Sequence, residues 1–140
     1  IQALGDLDID EHHTIEDVAI TLGDAFNKAI EKRSNIERYS SNETLVMDET
    51  LSTVSIDMAS RTMLQMDYPV LKEYVGDFPT EMFEHFFISF VNTLGFTCHI
   101  STKGKNSHHI VEATFKSFTR ALSKALKLNN SQILSTKGIL

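Results

Sequence analysis

The chain contains 140 residues, enough for one domain with a substantial hydrophobic core but too few for several domains. Its formal net charge of -6 argues against a nucleic-acid-binding protein that depends on a broad basic surface. Cys98 is the single cysteine, which excludes an intrachain disulfide and fits a reducing compartment, so we expect a cytoplasmic protein. The sequence contains no run of about 18 apolar residues, so we expect no membrane-spanning helix.

Hydrophobic periodicity predicts strands and helices in alternation. Apolar residues at i, i+3 and i+4 spacing after His12 predict a helix, whereas Val54, Ile56 and Met58 alternate with polar residues as in a strand. A further helix is expected to be capped by Thr80 and ended by Gly95. The predicted elements are strand 1–10, helix 12–32, loop 34–43, strand 44–59, strand 63–68, connection 69–77, helix 81–94, strand 96–101, loop 103–106, helix 107–128 and a tail without periodicity at 129–140.

This order predicts one domain of the α+β class, in which duplicated strand-helix units place their helices on one face of a sheet. We divide the domain into the end of a first repeat (1–42), a second repeat (43–128) and a C-terminal tail (129–140), which the family resemblance described below implies contributes to the site. The chain starts at Ile1 without an initiator Met, in a segment that reads like the middle of a strand. We therefore expect the first repeat to be incomplete at the N-terminus.

A repeated motif is the strongest functional signal in the sequence. The pattern His-His-x-x-Glu occurs at residues 12–16 and again at residues 108–112. Each copy begins an amphipathic helix that follows a predicted strand and a polar loop. One copy alone would be interpreted as a polar helix start that faces solvent. Two copies with the same spacing and the same structural context indicate a duplicated site.

Helical geometry assigns different directions to the residues of each motif. Residues i and i+4 lie about 40° apart around a helix, so His12 and Glu16 share a face and are expected to bind one ion together. Adjacent residues lie about 100° apart, so His13 points elsewhere, towards a second ion. The second copy repeats this arrangement. Two motifs from one chain, or from neighbouring chains, would then complete two metal sites reciprocally.

The ligand types restrict the metal without fixing it. Imidazoles combined with carboxylates suit zinc, manganese, iron or nickel, and the lack of thiolate ligands disfavours a structural zinc site. In the His-Glu-x-x-His motif of metalloproteases the two histidines share a face, whereas here a histidine and the glutamate do, so the glutamate is expected to be a ligand. His85 lies in the predicted helix 81–94 beside Phe86 and Phe87. From the residues alone, a solvent-facing or core histidine is the favoured interpretation of His85.

The two motif segments, at residues 10–17 and 106–113, resemble the paired signatures of the imidazoleglycerol-phosphate dehydratase family. Met-Asp-Glu-Thr-Leu at 47–51, Glu-His-Phe-Phe at 84–87 and Ser-Thr-Lys-Gly at 135–138 extend the resemblance over essentially the whole chain. The resemblance implies a mixed sheet of the ribosomal S5 domain 2-like type. It also implies a hydro-lyase of histidine biosynthesis that converts D-erythro-imidazole glycerol phosphate into imidazole acetol phosphate.

The resemblance further implies two Mn²⁺ ions per active site. By matching position, the implied metal ligands are His12, His13, Glu16, His85, His108, His109 and Glu112. It also implies a homo-oligomer of 24 subunits with active sites between subunits, which agrees with the reciprocal sites expected from helical geometry. The partners expected are thus a small phosphorylated imidazole substrate and further copies of the chain, with no nucleic acid and no membrane.

A phosphorylated substrate also requires cationic or hydroxyl groups. The positions that match phosphate-binding residues of the family are Arg38, Arg61, Lys116, Ser135 and Lys137. For each basic residue taken alone, a solvated surface charge is the commoner role. The family usually has Gly before the second arginine and Pro after it, whereas Ser60 and Thr62 flank Arg61 here, so the position of Arg38 is better supported.

The chemistry of the implied reaction explains the need for a metal. The proton to be removed lies on a carbon that is not next to a carbonyl, so an ordinary carboxylate base would fail. A metal bound to the imidazole ring would stabilise an imidazolate that expels the neighbouring hydroxyl. Our hypothesis is therefore dehydration through a metal-bound imidazolate. His12 and His108 would hold the ions, and Glu16 or Glu112 would move a proton.

Two other functions are compatible with the same motifs. A non-catalytic metal-binding or storage assembly would use the same ligands but would not need Arg38, Lys116 and Lys137 near the metals. A metal-dependent hydrolase would need an open coordination position and a free carboxylate base. No further acidic residue lies at the motif spacing, although Glu11 and Asp17 are adjacent to the first motif.

Overall fold

The helices and strands follow the predicted alternation with several corrections. A computed structural model describes residues 1–30 and 33–129, apart from the side chain of residue 34. The elements are α1 (His12–Ala29), β1 (Tyr39–Met47), β2 (Thr50–Asp57), β3 (Met63–Asp67), β4 (Tyr74–Val75), β5 (Phe78–Pro79), α2 (Met82–Leu94), β6 (Thr97–Lys103) and α3 (Ser107–Ala125), with a 3-10 turn at Arg33–Asn35.

Four strands form one mixed sheet in the order β1-β2-β6-β3. β2 is antiparallel to both of its neighbours, whereas β3 runs parallel to β6. Alternate residues of β2 and β6 are buried, as expected when one face of a sheet is covered. α3 covers β1 and β2, and α2 packs on β3. The predicted α+β fold with helices on one face of a mixed sheet is therefore confirmed.

Aromatic side chains fill the space between the helices and the sheet. Phe83, Phe87 and Phe96 are fully buried. Phe87 of α2 meets Phe118 of α3 edge-on, with ring centroids 5.0 Å apart, a favourable geometry for aromatic pairs. Cys98 lies beneath them on β6, and its burial raises the pKa of the thiol to about 12. These contacts fix the two helices relative to each other and to the strands.

α1 packs against α2 rather than directly on the sheet. Ala19 is fully buried. A Cβ added at Gly23 would lie 2.8 Å from the Cβ of Thr93, closer than packed carbon atoms approach. Asn27 donates a 2.7 Å hydrogen bond from Nδ2 to the carbonyl of Thr93. The small residues on α1 therefore allow a close approach of the two helices.

The predicted long strand 44–59 is wrong, because it consists of two strands joined by a tight turn. β1 and β2 pair through Met47 and Thr50, so only Asp48 and Glu49 form the connection. Asp48 has a φ of 47°, a conformation that Asp tolerates better than most residues. The predicted loop 34–43 is also partly wrong, since β1 begins at Tyr39. The proposed boundary between the repeats, at 42/43, falls within β1.

The predicted strand at residues 1–10 is also wrong. The segment has no strand, contains a turn at 7–9, and is exposed throughout. When the first motif is aligned with the second, residues 1–7 correspond to β6, which has a strand on either side. No described strand pairs with 1–10, and a strand needs such a neighbour to satisfy its backbone groups.

One predicted helix end is confirmed and three need correction. The Thr80 hydroxyl does not cap α2 but donates to the carbonyls of Lys72 and Glu73, at 2.6 and 3.1 Å. Gly95 ends α2 as predicted, with a φ of 74°. α1 and α3 each end about three residues before their predicted limits.

Within 1–30 and 33–129, no helix combines the length and apolarity needed to cross a membrane.

The close approach at Gly23 predicts an unusual effect of alanine. Gly23→Ala would gain about 1 kcal/mol from helix propensity alone, yet overpacking against Thr93 typically costs about 1–3 kcal/mol. We expect a net loss of up to about 2 kcal/mol in the free energy of unfolding, measured by urea denaturation. Combining Gly23→Ala with Thr93→Gly should destabilise less than the sum of the single changes. Strict additivity would contradict the contact.

Candidate metal centre

The first motif forms a histidine-carboxylate group that spans two helices. His12 and Glu16 lie on the first turns of α1, and His85 lies on the first turn of α2. One ligand atom from each of the three side chains falls within 4.8 Å of the others. His85 Nε2 is 3.1 Å from Glu16 Oε1, and the His12 and His85 rings are centred 4.8 Å apart. His85, which sequence alone could not place, therefore joins the first motif.

The neighbouring His13 points away from this group, as helical geometry predicts. Its ring centroid is 6.1 Å from that of His12, at an interplanar angle of 83°. His13 Nδ1 is 2.8 Å from Asp6 Oδ2. This hydrogen bond raises the pKa of His13.

The second motif repeats the same local geometry on α3. His108 Nε2 lies 3.0 Å from Glu112 Oε2, and the His108 and His109 rings are 6.2 Å apart at 80°. Lys116 Nζ is 2.6 Å from the other carboxylate oxygen of Glu112, and this contact lowers the pKa of Glu112. Asn106, in the predicted polar loop, caps α3 by accepting from the backbone N–H groups of His108 and His109.

His109 is fixed by a carboxylate from another part of the chain. Its Nδ1 is 2.8 Å from Glu49 Oε2 in the β1–β2 turn. Asp48 Oδ2 lies 3.8 Å from the opposite ring nitrogen, Nε2. The Glu49 hydrogen bond raises the pKa of His109 and holds the pKa of Glu49 far below its usual range. No site role was predicted for Glu49, because the turn that carries it lies inside one predicted strand.

Both motifs lie at the same end of the molecule. The His12–His85 contact places the start of α1 beside the start of α2. Lys72 connects the starts of α2 and α3, because its carbonyl accepts from Thr80 Oγ1 and its N–H donates to Ser107 Oγ. The N-terminal ends of all three helices are thus gathered at one end of the sheet.

The donor set of the first group suits a divalent transition metal. Two ligands on opposite sides of an ion are about 4.2 Å apart when each bond is about 2.1 Å long. The 4.8 Å span among His12, Glu16 and His85 is close to this value. In the described part of the chain, no third His, Cys, Asp or Glu completes a comparable group around His108 and Glu112.

The residues predicted to bind phosphate are divided between two ends of the structure. Lys116 lies beside Glu112, at the end that carries the motifs. The N–H of Arg38 bonds to the carbonyl of Ala125, in the last turn of α3. From residue 108 to residue 125 a helix rises about 25 Å, so one chain does not bring Arg38 to the second motif.

Arg38 is also engaged locally. Its guanidinium donates to both carboxylate oxygens of Asp57, at 2.7 and 3.2 Å, and this pairing raises the pKa of Arg38. Arg61 is exposed at the same end, where its carbonyl accepts from Thr97 Oγ1. Ser135 and Lys137 lie outside the described residues.

A duplicated histidine-carboxylate motif on an α+β scaffold defines a protein with a candidate transition-metal centre. The sequence profile of the family described as imidazoleglycerol-phosphate dehydratase matches residues 1–122. The chain belongs to the imidazoleglycerol-phosphate dehydratase family, and the resemblance seen in its motifs is confirmed.

Individual relatives agree with this assignment. The whole chain is 47% identical to an imidazoleglycerol-phosphate dehydratase of Pseudomonas fluorescens, of which it covers 73%. It is 45% identical to the histidine biosynthesis bifunctional protein HisB of Legionella pneumophila, but spans only 39% of that protein.

The crystal structure of imidazoleglycerol-phosphate dehydratase from Staphylococcus aureus matches with a TM-score of 0.81 at 38% identity, over 90% of this chain and 71% of that one. The enzyme from Pyrococcus furiosus, solved in complex with (S)-C348, matches with a TM-score of 0.80 at 34% identity, over 93% of this chain and 72% of that one.

The position of His85 predicts that its removal weakens metal binding. His85→Ala should lower the amount of Mn²⁺ bound at a concentration that saturates the unchanged protein, because it deletes one of three converging donors. Equilibrium dialysis of the intact protein measures this directly. His99→Ala provides the matched control, since His99 is exposed on β6 and lies outside both motifs. Equal Mn²⁺ binding by both variants would argue against a metal at this group.

Proposed function

We propose that the protein dehydrates D-erythro-imidazole glycerol phosphate to imidazole acetol phosphate with the help of Mn²⁺. The observation that carries this proposal is the convergence of His12, Glu16 and His85 from two helices. Membership of the dehydratase family supports the reaction class. Because the chain covers only part of each relative, the activity of the whole protein is part of the proposal.

Seven side chains would hold the metal ions. The proposed ligands are His12, His13, Glu16, His85, His108, His109 and Glu112. When bound, the ions would supply Lewis acidity to the imidazole ring of the substrate. The arrangement of the ligands supports two ions per site. In each motif the first histidine and the glutamate face one way, whereas the second histidine faces another.

The side chains of this protein would position the substrate and move protons. Dehydration requires a proton to leave one carbon and a hydroxyl to leave its neighbour. Glu16 Oε1 and Glu112 Oε2 are the carboxylate atoms at the motifs that would accept or deliver a proton. Lys116 holds Glu112 in its ionised form and would offer its ammonium group to a phosphate.

The distribution of charge supports an active site formed between copies of the chain. Arg38 and Arg61 lie at the end of the sheet opposite to the motifs, so they would bind the phosphate of a substrate held by another subunit. Reciprocal contacts of this kind favour a closed symmetric assembly. The number that we propose, 24 subunits, rests on the family resemblance. Ser135 and Lys137 would add to the same phosphate site.

Turnover of imidazole glycerol phosphate tests the function itself. We expect Mn²⁺-dependent formation of the ketone product after chelation and reconstitution. His12→Ala and His108→Ala should each abolish turnover, because each removes a donor from a proposed metal group, whereas His99→Ala should retain it. Substantial activity of either motif variant, or turnover without metal, would disprove the proposed chemistry.

Mixed assemblies test the shared active site. Arg38→Ala and His108→Ala should each be nearly inactive alone. When they are co-expressed, sites that combine an unchanged Arg38 from one chain with an unchanged His108 from another should restore up to about one quarter of the activity.

A matched control for these mixed assemblies uses two changes in one motif. His108→Ala mixed with Glu112→Ala should restore nothing, because both residues belong to the same α3 group. Failure of the Arg38 and His108 pair to complement would overturn the proposal that the two residues share a site formed between subunits.

A further inference from the structure

The side chain of Glu49 makes more hydrogen bonds than are needed to connect two strands by a tight turn. Its Oε1 accepts from the backbone N–H groups of Asn106 and Lys105, at 2.8 and 3.1 Å, and from the hydroxyl of Thr50, at 3.1 Å. Its Oε2 lies 2.8 Å from His109 Nδ1. The carboxylate therefore joins the β1–β2 turn, the loop before α3 and the second histidine of the motif.

This anchoring leaves Glu49 little freedom to move. A Cβ added at Gly104 would lie 2.2 Å from the Thr50 hydroxyl oxygen, so the loop and the turn are in very close contact. Thr50 is 1% exposed. A carboxylate with one oxygen fixed by the backbone of a packed loop presents its other oxygen in a defined direction.

The contact between Glu49 and His109 determines which ring nitrogen of His109 is available to bind a metal ion. A carboxylate only accepts hydrogen bonds when ionised, so Nδ1 must carry the proton that lies between the two groups. In the neutral imidazole, Nε2 then holds the free lone pair. A ring nitrogen bonded to a carboxylate is the usual way in which proteins orient a metal-binding histidine.

The first motif shows the same bond with a weaker anchor. His13 Nδ1 bonds to Asp6 Oδ2 at 2.8 Å. Asp6 lies in a segment without regular structure, and its side chain is 52% exposed. Each of the two motifs therefore provides its second histidine with a carboxylate at Nδ1, but only Glu49 receives several further hydrogen bonds.

We propose that Glu49 is a positioning residue that holds His109 with Nε2 directed at a metal ion. It acts through His109 and does not itself contact the ion. This inference rests on the proposed metal site and adds a residue that the His-His-x-x-Glu pattern does not contain. It also accounts for the Met-Asp-Glu-Thr-Leu segment at 47–51, whose function the motifs leave open.

Glu49→Gln separates the positioning role from a structural one. The amide oxygen can still accept from Lys105 and Asn106, so the loop is preserved. The amide N–H, however, donates to Nδ1 of His109 and moves the ring proton to Nε2, the nitrogen that a metal needs. We expect Mn²⁺ affinity of one class of site to fall about 10–100-fold, measured by electron paramagnetic resonance of free Mn²⁺. The thermal midpoint of the metal-free protein should fall less than in Glu49→Ala, because the hydrogen bonds to the loop are kept and only the charge is lost.

Three further variants decide between the outcomes. Asp24→Asn removes the same charge from an exposed position of α1 outside both motifs and should leave Mn²⁺ affinity unchanged, whereas His109→Ala should weaken it. Unchanged affinity in Glu49→Gln, with loss in His109→Ala, would overturn this inference while the proposed function survives. Unchanged affinity in both would overturn the ligand assignment as well. If Glu49→Gln lowered the metal-free midpoint as much as Glu49→Ala does, Glu49 would be structural only.

Discussion

The first histidine-carboxylate group depends on the close packing of α1 against α2. Ala19 is fully buried, and at Gly23 even a single Cβ would meet Thr93. Glu16 lies about two turns before Gly23 on the same helix, so its distance to His85 follows from how closely the helix backbones approach. Larger residues at these positions would separate the helices and with them the donors. The geometry of this group is therefore a property of helix packing and not of a flexible loop.

The second motif depends on a different kind of anchor. Beneath α3, four fully or almost fully buried hydroxyl groups form a connected chain of hydrogen bonds between the helix and the strands β2 and β6, namely those of Ser52, Thr102, Thr114 and Ser117. Buried hydroxyls are costly unless they are paired, so a shift of α3 along the sheet would leave several of them without partners. The hydroxyl chain thus fixes the register of α3. Glu112 lies half a turn from Thr114 on the same helix, so this register also determines the position of the second motif relative to the sheet.

The sequence predicted local geometry well and tertiary geometry poorly. The directions of His12 and His13 follow from the fixed angle between adjacent helix positions, and the structure shows them. The place of His85 does not follow, because its contact joins segments 69 residues apart. One continuous strand was predicted across residues 48–49, because this turn contains no glycine and its positive φ is adopted by Asp48. The position of Glu49 in a turn beside the second motif was therefore not predicted.

The acidic charge of the chain limits how a phosphorylated substrate would bind under the proposed function. With a net charge of -6, the protein does not attract anions through its overall field, so cations must act at short range. One chain offers Lys116 beside the second motif, whereas Arg38 lies at the far end of α3 and is paired with Asp57. That pairing keeps the Arg38 guanidinium pre-oriented, which reduces the ordering cost of binding a phosphate. Under the proposed function, an arginine held in this way would contribute to the end that carries the motifs only when another copy lies beside it. Under the proposed function, assembly is then a condition for substrate binding, because it supplies the cations that a single chain does not bring to its own motifs.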